Sequence, residues 1–275
     1  MLKISYQGIE GAYSHLACYN CFGRDIECIG TETFEEAMEL VEREEVNYAL
    51  IPIENKTSGR VDEFYGLIPK MKLQIIAEHC QKIEHYLLGI EGSSLDTLEY
   101  VYSHPQGLSQ CKENIKRLGL KPIARYDTAG SAKEVSELKD KKIGAIASSL
   151  AGKIYGLEIL EANIQDQKDN FTRFIVLANR KEVKIEKDRE YITSIIFNIR
   201  NIPSALYRAI GGFAKNSVNI LKIESYIPLE NPEETKFHID IDGSPNELRV
   251  KNAIEELKLY VDRFRVLGVY RKNRF

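Results

Sequence analysis

The chain has 275 residues, enough for two domains of ordinary size. Hydrophobic residues make up 43% of it and charged residues 29%, as in globular proteins, and a formal net charge of −3 predicts no general attraction to nucleic acid or to an acidic membrane. With no leader, no apolar run long enough to cross a bilayer, and five scattered cysteines that favour reduced thiols, we expect a cytoplasmic protein.

The first 180 residues alternate between apolar strands and amphipathic helices. A strand at 4–6 and a glycine loop at 8–11 precede a helix at 13–22, and Thr33 to Glu36 has the form of a capping box. Further strands are predicted at 26–29, 48–53, 73–77, 101–102, 122–126 and 143–147, and a helix runs from Ser103 to about Leu118. This alternation predicts parallel sheets built from βαβ units.

The pattern changes after the charged segment KEVKIEKDRE, and we place a linker at 183–190. The predicted elements that follow are a strand at 192–199, a helix at 204–214, strands at 219–227 and 237–241, a helix at 246–260 and a strand at 264–269. A turn containing Pro228, Asn231 and Pro232 joins the two middle strands. The order βαββαβ predicts a separate ferredoxin-like module.

Several familiar motifs are absent or too weak to use. The glycine loop at 8–11 lacks the third glycine and the later acidic residue of a dinucleotide site. Cys18 and Cys21 lie on a predicted helix without a second cysteine pair, so two small structural residues are favoured over zinc ligands. Three other residues could bind a metal, but only their nearness in sequence supports it: His79, Cys80 and His85. We therefore predict no metal and no cofactor.

Polar residues follow the ends of several predicted strands, at 54–55, 103–106, 128–131 and 148–149. Ligands of open α/β sheets bind at such ends, where helix N-termini offer free N–H groups. Each segment alone is most simply a cap of its own helix, whereas the group favours a site for a small anion. Arg173, at the entrance of the apolar strand in DNFTRFIVLAN, would clamp a carboxylate of that anion with two hydrogen bonds.

Five segments together resemble the motifs of the prephenate dehydratase family: GIEGAYS (8–14), IPIENKTSGRV (51–61), SHPQGLSQC (103–111), DTAGSA (127–132) and NFTRFIVL (170–177). The segment 191–275 resembles an ACT domain, the amino-acid-sensing module often attached to these enzymes. No chorismate mutase segment precedes them, so the chain is similar to the monofunctional form.

The resemblance implies an α/β fold in which a two-lobed, periplasmic-binding-protein-like catalytic domain is followed by a ferredoxin-like βαββαβ ACT domain. The catalytic domain would span 1–182, with lobe one at about 1–78 plus 172–182 and lobe two at about 79–171. The chain would cross between the lobes near 78–87 and 165–172, and the ACT domain would occupy 191–275.

The activity implied by this resemblance is the conversion of prephenate to phenylpyruvate in phenylalanine biosynthesis, with loss of carbon dioxide and of the ring hydroxyl. Aromatisation drives this reaction, so no cofactor is needed. Thr172 matches the family's catalytic threonine, which is expected to hydrogen-bond the leaving hydroxyl. The other catalytic positions implied are Arg173, Asn55, Ser103 and Gln110, and the substrate-binding positions are Glu54, Thr57, His104, Gly130 and Ser131.

Phenylalanine binds between subunits in ACT domains of this family and inhibits the enzyme. The matching positions here are Ser204, Ala205, Leu206, Asn219, Leu221, Glu224 and Ser225. Serine stands at 204 where glycine is usual, and Tyr226-Ile227 replace the usual Arg-Pro. The resemblance thus implies phenylalanine as effector and a homodimer or homotetramer. The side chain of Ser204 stands where the backbone would approach the ligand, which would alter the affinity or the effector preference.

Three alternatives stay open at the level of sequence. Arogenate, with an amine in place of the keto group, could be the substrate. A non-catalytic cytoplasmic sensor of small anions could use the same fold, although Thr172 and Arg173, together with Asn55 and Gln110, favour catalysis. A decarboxylase that retains the ring hydroxyl would not need a threonine aimed at the leaving oxygen.

Overall fold

The structure is a computed structural model that describes residues 1–179, 184–186, 189–199, 202–226 and 235–273. It divides into two compact units. The first comprises Met1–Leu40, Leu50–Arg60 and Cys80–Phe174, and the second comprises Val41–Ala49, Val61–His79 and Ile175–Phe275. None of the helices in these described ranges has the length and apolar content needed to cross a bilayer.

The predicted domain boundaries at 182 and 191 stay a prediction. The two compact units of the structure are divided at other positions. The predicted linker at 183–190 lies partly outside the described residues. The predicted turn around Pro228, Asn231 and Pro232 lies wholly outside them.

The elements up to residue 103 are β1 (Leu2–Gln7), α1 (Tyr13–Phe22), β2 (Ile26–Thr31), α2 (Phe34–Glu42), β3 (Tyr48–Asn55), β4 (Gly59–Arg60), α3 (Asp62–Leu67), β5 (Gln74–Lys82), β6 (Tyr86–Gly89) and β7 (Tyr100–Ser103). The next are α4 (Pro105–Gln110), α5 (Lys112–Arg117), β8 (Lys121–Ala124), α6 (Thr128–Leu138), β9 (Ile143–Ala147), α7 (Ser149–Ile154), β10 (Glu158–Glu161) and β11 (Phe171–Ala178). The last are β12 (Tyr191–Ile199), α8 (Ala205–Lys215), β13 (Ile220–Tyr226), β14 (Thr235–Asp242), α9 (Leu248–Lys258) and β15 (Arg263–Arg271).

These strands form three sheets. The first has the order β2-β1-β3-β11-β5 with β4 paired to β3, and the second has the order β10-β6-β9-β7-β8. Within the second, β7 is parallel to both β8 and β9, whereas β6 is antiparallel to β9. The third has the order β13-β14-β12-β15 and is antiparallel throughout. The first and third strands of this module in chain order, β12 and β14, lie at the centre of the sheet, which is the ferredoxin-like arrangement of βαββαβ.

The structure differs from the sequence prediction in the second sheet. The antiparallel strands β6 and β10 were not predicted, so this sheet is mixed rather than parallel. The helix expected from Ser103 to about Leu118 is two short helices, α4 and α5. The break lies at Cys111, whose backbone leaves helical values (φ −117°, ψ 16°) while its side chain is fully buried.

Strand β11 brings the functional motif into the core. Its last six residues, from Arg173 to Ala178, are all buried, as is typical of a central strand that is covered on both faces. Only its first two residues, Phe171 and Thr172, are partly exposed. The polar entrance of this strand therefore lies at the edge of the core, next to Asn55 at the end of β3.

Cys18, one of the two cysteines expected to be structural, has a second cysteine beside it in the fold. Cys18 is buried and hydrogen-bonds Cys28 rather than Cys21. This hydrogen bond, together with one from His15, lowers the pKa of Cys28 to about 6, while it raises the pKa of Cys18. No group of three or more His, Cys, Asp or Glu side chains in the described part of the chain is arranged to hold a metal ion.

A close backbone contact in the second unit leads to a stability prediction. A Cβ atom at Gly268 in β15 would lie 2.0 Å from the carbonyl oxygen of Ile75 in β5. Because this neighbour is backbone, the strands must separate, and we expect Gly268→Ala to lower the free energy of unfolding by about 1–3 kcal/mol.

Gly211 in α8 has no atom within 4 Å of such a Cβ. As a matched control, Gly211→Ala should stabilise by about 0.5–1 kcal/mol. Urea unfolding of both variants measures this, and equal stabilities would contradict it.

Candidate active site

The candidate active site starts where two neighbouring strands meet, at the end of β3 and the start of β11. Asn55 is the last residue of β3, and its Nδ2 lies 2.9 Å from the hydroxyl oxygen of Thr172. The same nitrogen lies 2.9 Å from Asn170 Oδ1 and 3.2 Å from the carbonyl oxygen of Phe171. One amide thus holds three consecutive residues of the NFT segment.

The orientation of the Asn55 amide follows from its other end. The main-chain N–H groups of Thr57 and Ser58 both point at one side-chain atom of Asn55, at 3.0 Å each. Because these groups can only donate, that atom must be the oxygen. The Asn55 nitrogen therefore faces Thr172 and donates to it. The hydroxyl hydrogen of Thr172 remains available, since no hydrogen bond among the described residues uses it.

A cavity of about 290 Å³ lies beside this network. Its lining consists of Thr57, Ser58, Gln106, Ser109, Gln110, Gln165, Asp166, Gln167 and Asn170. All of these side chains are polar, and none of these lining residues is a lysine or an arginine. Thr172 itself is not among the lining residues, but Asn55 connects it to two that are, Thr57 and Asn170.

Two amides in this lining have N–H groups left over from their internal hydrogen bonds, and a third amide nitrogen is buried beside them. Gln110 Nε2 donates one hydrogen to Thr57 Oγ1 at 2.8 Å, which leaves its second for a ligand. Gln165 Oε1 accepts from the main-chain N–H of His85 at 2.9 Å, so its nitrogen faces away from that bond. Asn170 Oδ1 accepts from Asn55, and its Nδ2 is buried with no hydrogen-bond partner among the residues that the structure describes. Neutral N–H donors of this kind suit carboxylate oxygens.

Asp166 is the acidic residue in the lining, and its carboxylate serves a helix. Its two oxygens accept from the main-chain N–H groups of Glu113 and Asn114 at 3.1 and 3.3 Å. These residues form the first turn of α5, where a carboxylate is stabilised by the free N–H groups and the helix dipole. This role accounts for a negative charge at the rim of a cavity that would take an anion.

Arg173 is buried and paired with a carboxylate of the protein itself. Its side chain is 5% exposed, and its guanidinium forms an ion pair with Glu54 at 3.3 Å. Successive side chains of a strand point to opposite faces, so Arg173 lies on the face opposite Thr172. The predicted clamp on a substrate carboxylate stays a prediction, and the anion that the structure places beside Arg173 is Glu54.

Four other predicted positions serve local structure. Ser103 is completely buried and donates to the carbonyl oxygen of Ile146 at 2.7 Å. His104 is the N-cap of α4, because its Nδ1 accepts from Gln106 N. The cap of α6 is Asp127, which accepts from Gly130 N and, through its carbonyl oxygen, from the Ser131 hydroxyl. None of the four predicted positions, Ser103, His104, Gly130 and Ser131, is among the cavity-lining residues.

The structure adds residues that the sequence analysis did not assign to the site. Gln106 and Asn170 lie inside motifs that were recognised, and Gln106 Nε2 donates to Ser58 Oγ at 2.7 Å. Gln165 and His85 lie outside those motifs. They meet because the main chain at Ile164 donates to the carbonyl oxygen of His85 at 2.9 Å, so that two segments 80 residues apart run side by side. Sequence periodicity carries no signal for such a pairing.

The family model for prephenate dehydratase matches residues 4–182. The chain belongs to the prephenate dehydratase family. A bifunctional N-acyl-homoserine lactone acylase/prephenate dehydratase from Komagataeibacter europaeus is 36% identical over 99% of this chain and 96% of its own. Arogenate dehydratase 2 from Petunia hybrida is 37% identical over 98% of this chain and 71% of its own.

A solved member of the prephenate dehydratase family has the same fold. The structure of prephenate dehydratase from Arthrobacter aurescens in complex with L-Phe matches with a TM-score of 0.90 at 26% identity, and the match covers 98% of this chain and 90% of that one. The resemblance to the family, the two-lobed α/β fold and the activity class, a lyase, are thereby confirmed.

Proposed function

We propose that this member of the prephenate dehydratase family acts on prephenate itself and releases phenylpyruvate. The carbon–carbon bond to the ring carboxylate breaks, its electron pair enters the ring, and the carbon–oxygen bond of the ring hydroxyl breaks. The dianion takes up one proton overall and yields the phenylpyruvate anion, carbon dioxide and water. Because aromatisation drives the reaction, the chain has to supply binding, orientation and a hydrogen bond to the departing oxygen.

Thr172 would supply this hydrogen bond. Its oxygen accepts from Asn55 at 2.9 Å, which leaves its hydrogen to donate to the departing hydroxyl. The hydrogen bond from Asn55 also polarises the O–H group of Thr172, which makes this group a stronger donor. This pairing of Asn55 and Thr172 is the observation that carries the proposal, because it gives the matching threonine of the family a defined donor direction.

The cavity would hold the carboxylates through neutral donors. Gln110 and Gln165 have N–H groups left over from their internal hydrogen bonds, and both residues line the cavity together with Asn170. A cation beside the ring carboxylate would favour its charged state and oppose the loss of carbon dioxide. Amide N–H groups orient the carboxylate with less stabilisation of that charge, so the elimination keeps more of its driving force.

Product analysis tests this proposal. Purified protein is incubated with prephenate or with arogenate, and the products are identified by mass spectrometry. We expect phenylpyruvate from prephenate at the higher kcat/KM. An aromatic product from arogenate alone, an unaromatised keto acid, or unchanged substrate would each replace the proposal with one of the alternatives left open by the sequence.

We also propose that the ferredoxin-like module is an ACT domain that binds phenylalanine. Ser204 precedes α8 with a φ of 66°, in the left-handed region that favours glycine, which is the usual residue here by resemblance. Leu221, Glu224 and Ser225 lie on β13, an edge strand of the third sheet. The predicted Ala205, Leu206 and Asn219 flank these two segments.

Pairing with a second copy would fit the same surface. Edge strands have hydrogen-bonding groups that can pair with another chain. Large apolar side chains are exposed near the predicted effector positions, at Ile202, Tyr207 and Ile223. Both features support the proposed homodimer or homotetramer. The cytoplasmic location stays a prediction.

Ser204→Gly tests the effector site. A glycine adopts the observed backbone without the strain of a Cβ atom and lets a ligand approach the main chain more closely. We expect it to bind phenylalanine several-fold more tightly by isothermal titration calorimetry. Ser204→Ala, which retains the Cβ atom, is the matched control and should bind as the natural protein does. If the glycine variant bound no more tightly than the alanine variant, position 204 would not belong to the effector site.

A further inference from the structure

A buried histidine lies directly behind the cavity, and neither the proposed reaction nor the resemblance gives it a role. His85 is 2% exposed, and its Nε2 lies 2.8 Å from Gln110 Oε1. Its main-chain N–H donates to Gln165 Oε1, and its Nδ1 lies 2.6 Å from the hydroxyl of Tyr13. His85 therefore contacts both amides of the cavity lining that have N–H groups left over from their internal hydrogen bonds.

The tautomer of His85 follows from a chain of hydrogen bonds that begins at Asn55. The oxygen of Asn55 is identified by two main-chain N–H groups, and the Thr57 hydroxyl, 2.7 Å from it, must donate to it. The Thr57 oxygen then accepts, so the Gln110 atom 2.8 Å away is the nitrogen. This places the Gln110 oxygen against His85 Nε2, which must carry the hydrogen.

The other ring nitrogen is an acceptor. Burial lowers the pKa of His85, which keeps the imidazole neutral, so Nδ1 accepts from the Tyr13 hydroxyl. Burial also raises the pKa of Tyr13 well above its usual value, next to Cys111, Tyr86 and Glu84, and Tyr13 remains a donor. The same hydroxyl lies 3.0 Å from the carbonyl oxygen of Glu84, which competes for its hydrogen.

We propose that His85 is a positioning residue for the elimination. Its Nε2–H fixes the Gln110 amide with the oxygen inward, so that the Gln110 nitrogen bonds Thr57 with one hydrogen and offers the other to the substrate. Tyr13 sets the tautomer that makes this orientation the stable one. A reversed Gln110 would present an oxygen to a dianionic substrate and would repel it. The inference deepens the proposed function and rests on it.

Two substitutions separate positioning from packing. His85→Gln places an amide nitrogen near Nε2 and keeps the donor to Gln110, whereas His85→Asn is too short to reach it. We expect His85→Asn to lower kcat/KM by about 10–100-fold, with part of the loss in a higher KM, because a reversed Gln110 both repels the substrate and misplaces it. His85→Gln should retain most of the activity. Equal activities of the two variants would overturn the proposal.

A double-mutant cycle shows whether His85 acts through Gln110. In a Gln110→Ala background, the amide that His85 orients is gone. We expect the change from His85 to Asn to cost less than about threefold in kcat/KM there, because residues that act as one unit are not additive. A purely structural histidine would give additive losses, and that result would reject the proposal.

The tautomer is measured without turnover. Nitrogen-15 NMR of protein labelled at histidine distinguishes Nε2–H from Nδ1–H, and we expect Nε2–H for His85 and a partial shift of the population in Tyr13→Phe. A His85 with its hydrogen on Nδ1 would overturn the inference even in an active enzyme. Conversely, an Nε2–H tautomer in a protein that makes no phenylpyruvate would leave the orientation standing and reject the proposed function alone.

Discussion

Thr172→Ala is expected to lower kcat by about 10²–10³-fold, which is the usual cost of one hydrogen-bond donor aimed at a developing charge. The substrate affinity should change only a few-fold, since this hydrogen bond strengthens mainly as charge develops on the departing oxygen. The measurement is steady-state kinetics of phenylpyruvate release with prephenate as substrate.

The control for this prediction keeps the hydroxyl and removes the methyl group. Thr172→Ser leaves an oxygen that Asn55 can reach and a hydrogen that can be donated, so it should retain most of the natural kcat. Thermal unfolding of both variants checks that the fold is intact. A Thr172→Ala enzyme that turns over prephenate like the natural one would remove the threonine from the mechanism.

Asn55→Asp is expected to lower kcat by at least as much as Thr172→Ala does. Aspartate has the shape of asparagine, but it accepts a hydrogen bond where the amide nitrogen donates one. A carboxylate can still accept from the main-chain N–H groups of Thr57 and Ser58. On its other side it would accept from the Thr172 hydroxyl instead of donating to it, so the hydrogen intended for the departing oxygen is diverted into the protein. It would also repel Asn170 Oδ1, which lies 2.9 Å from the present nitrogen.

The double variant distinguishes this explanation from a general disturbance of the site. If Asn55 acts by directing Thr172, Asn55→Asp should add less than about tenfold to the loss already caused by Thr172→Ala. If the fold losses in kcat of the two single variants multiply in the double variant, Asn55 acts independently of the threonine. Calorimetric binding of a non-reacting dicarboxylate to each protein would then show whether the loss lies in binding.

The prediction from sequence was most successful where local rules agree with the fold. The apolar run after Thr172 became the buried part of β11, and the capping box at Thr33 precedes α2 with the Thr33 hydroxyl accepting from Glu36 N. It failed where a single position leaves the local pattern. Cys111 interrupts an otherwise helical segment, and the antiparallel strand β6 has too few residues to show a periodicity.

The same distinction between local pattern and tertiary contact applies to the residues of the candidate site. Thr172, Asn55, Gln110 and Thr57 were predicted from motifs, and the structure joins them in one hydrogen-bonded network. The adjacent motif residues Arg173 and Glu54 were predicted with them, although the alternation of side chains along a strand places them on the opposite face. A motif records which residues occur together, without recording which of them face the same space.

By itself the sequence determined the family, the α/β and βαββαβ order of elements, and the threonine at the centre of the proposed chemistry, because these depend on local patterns and on residue identity. Only the tertiary structure decided which polar residues share the cavity, that Arg173 is paired with Glu54, and that His85 stands behind Gln110. The physical reason is that hydrogen-bond direction depends on contacts between distant segments. Two main-chain N–H groups at 57 and 58 orient an amide at 55, and through it a hydroxyl 117 positions further along the chain.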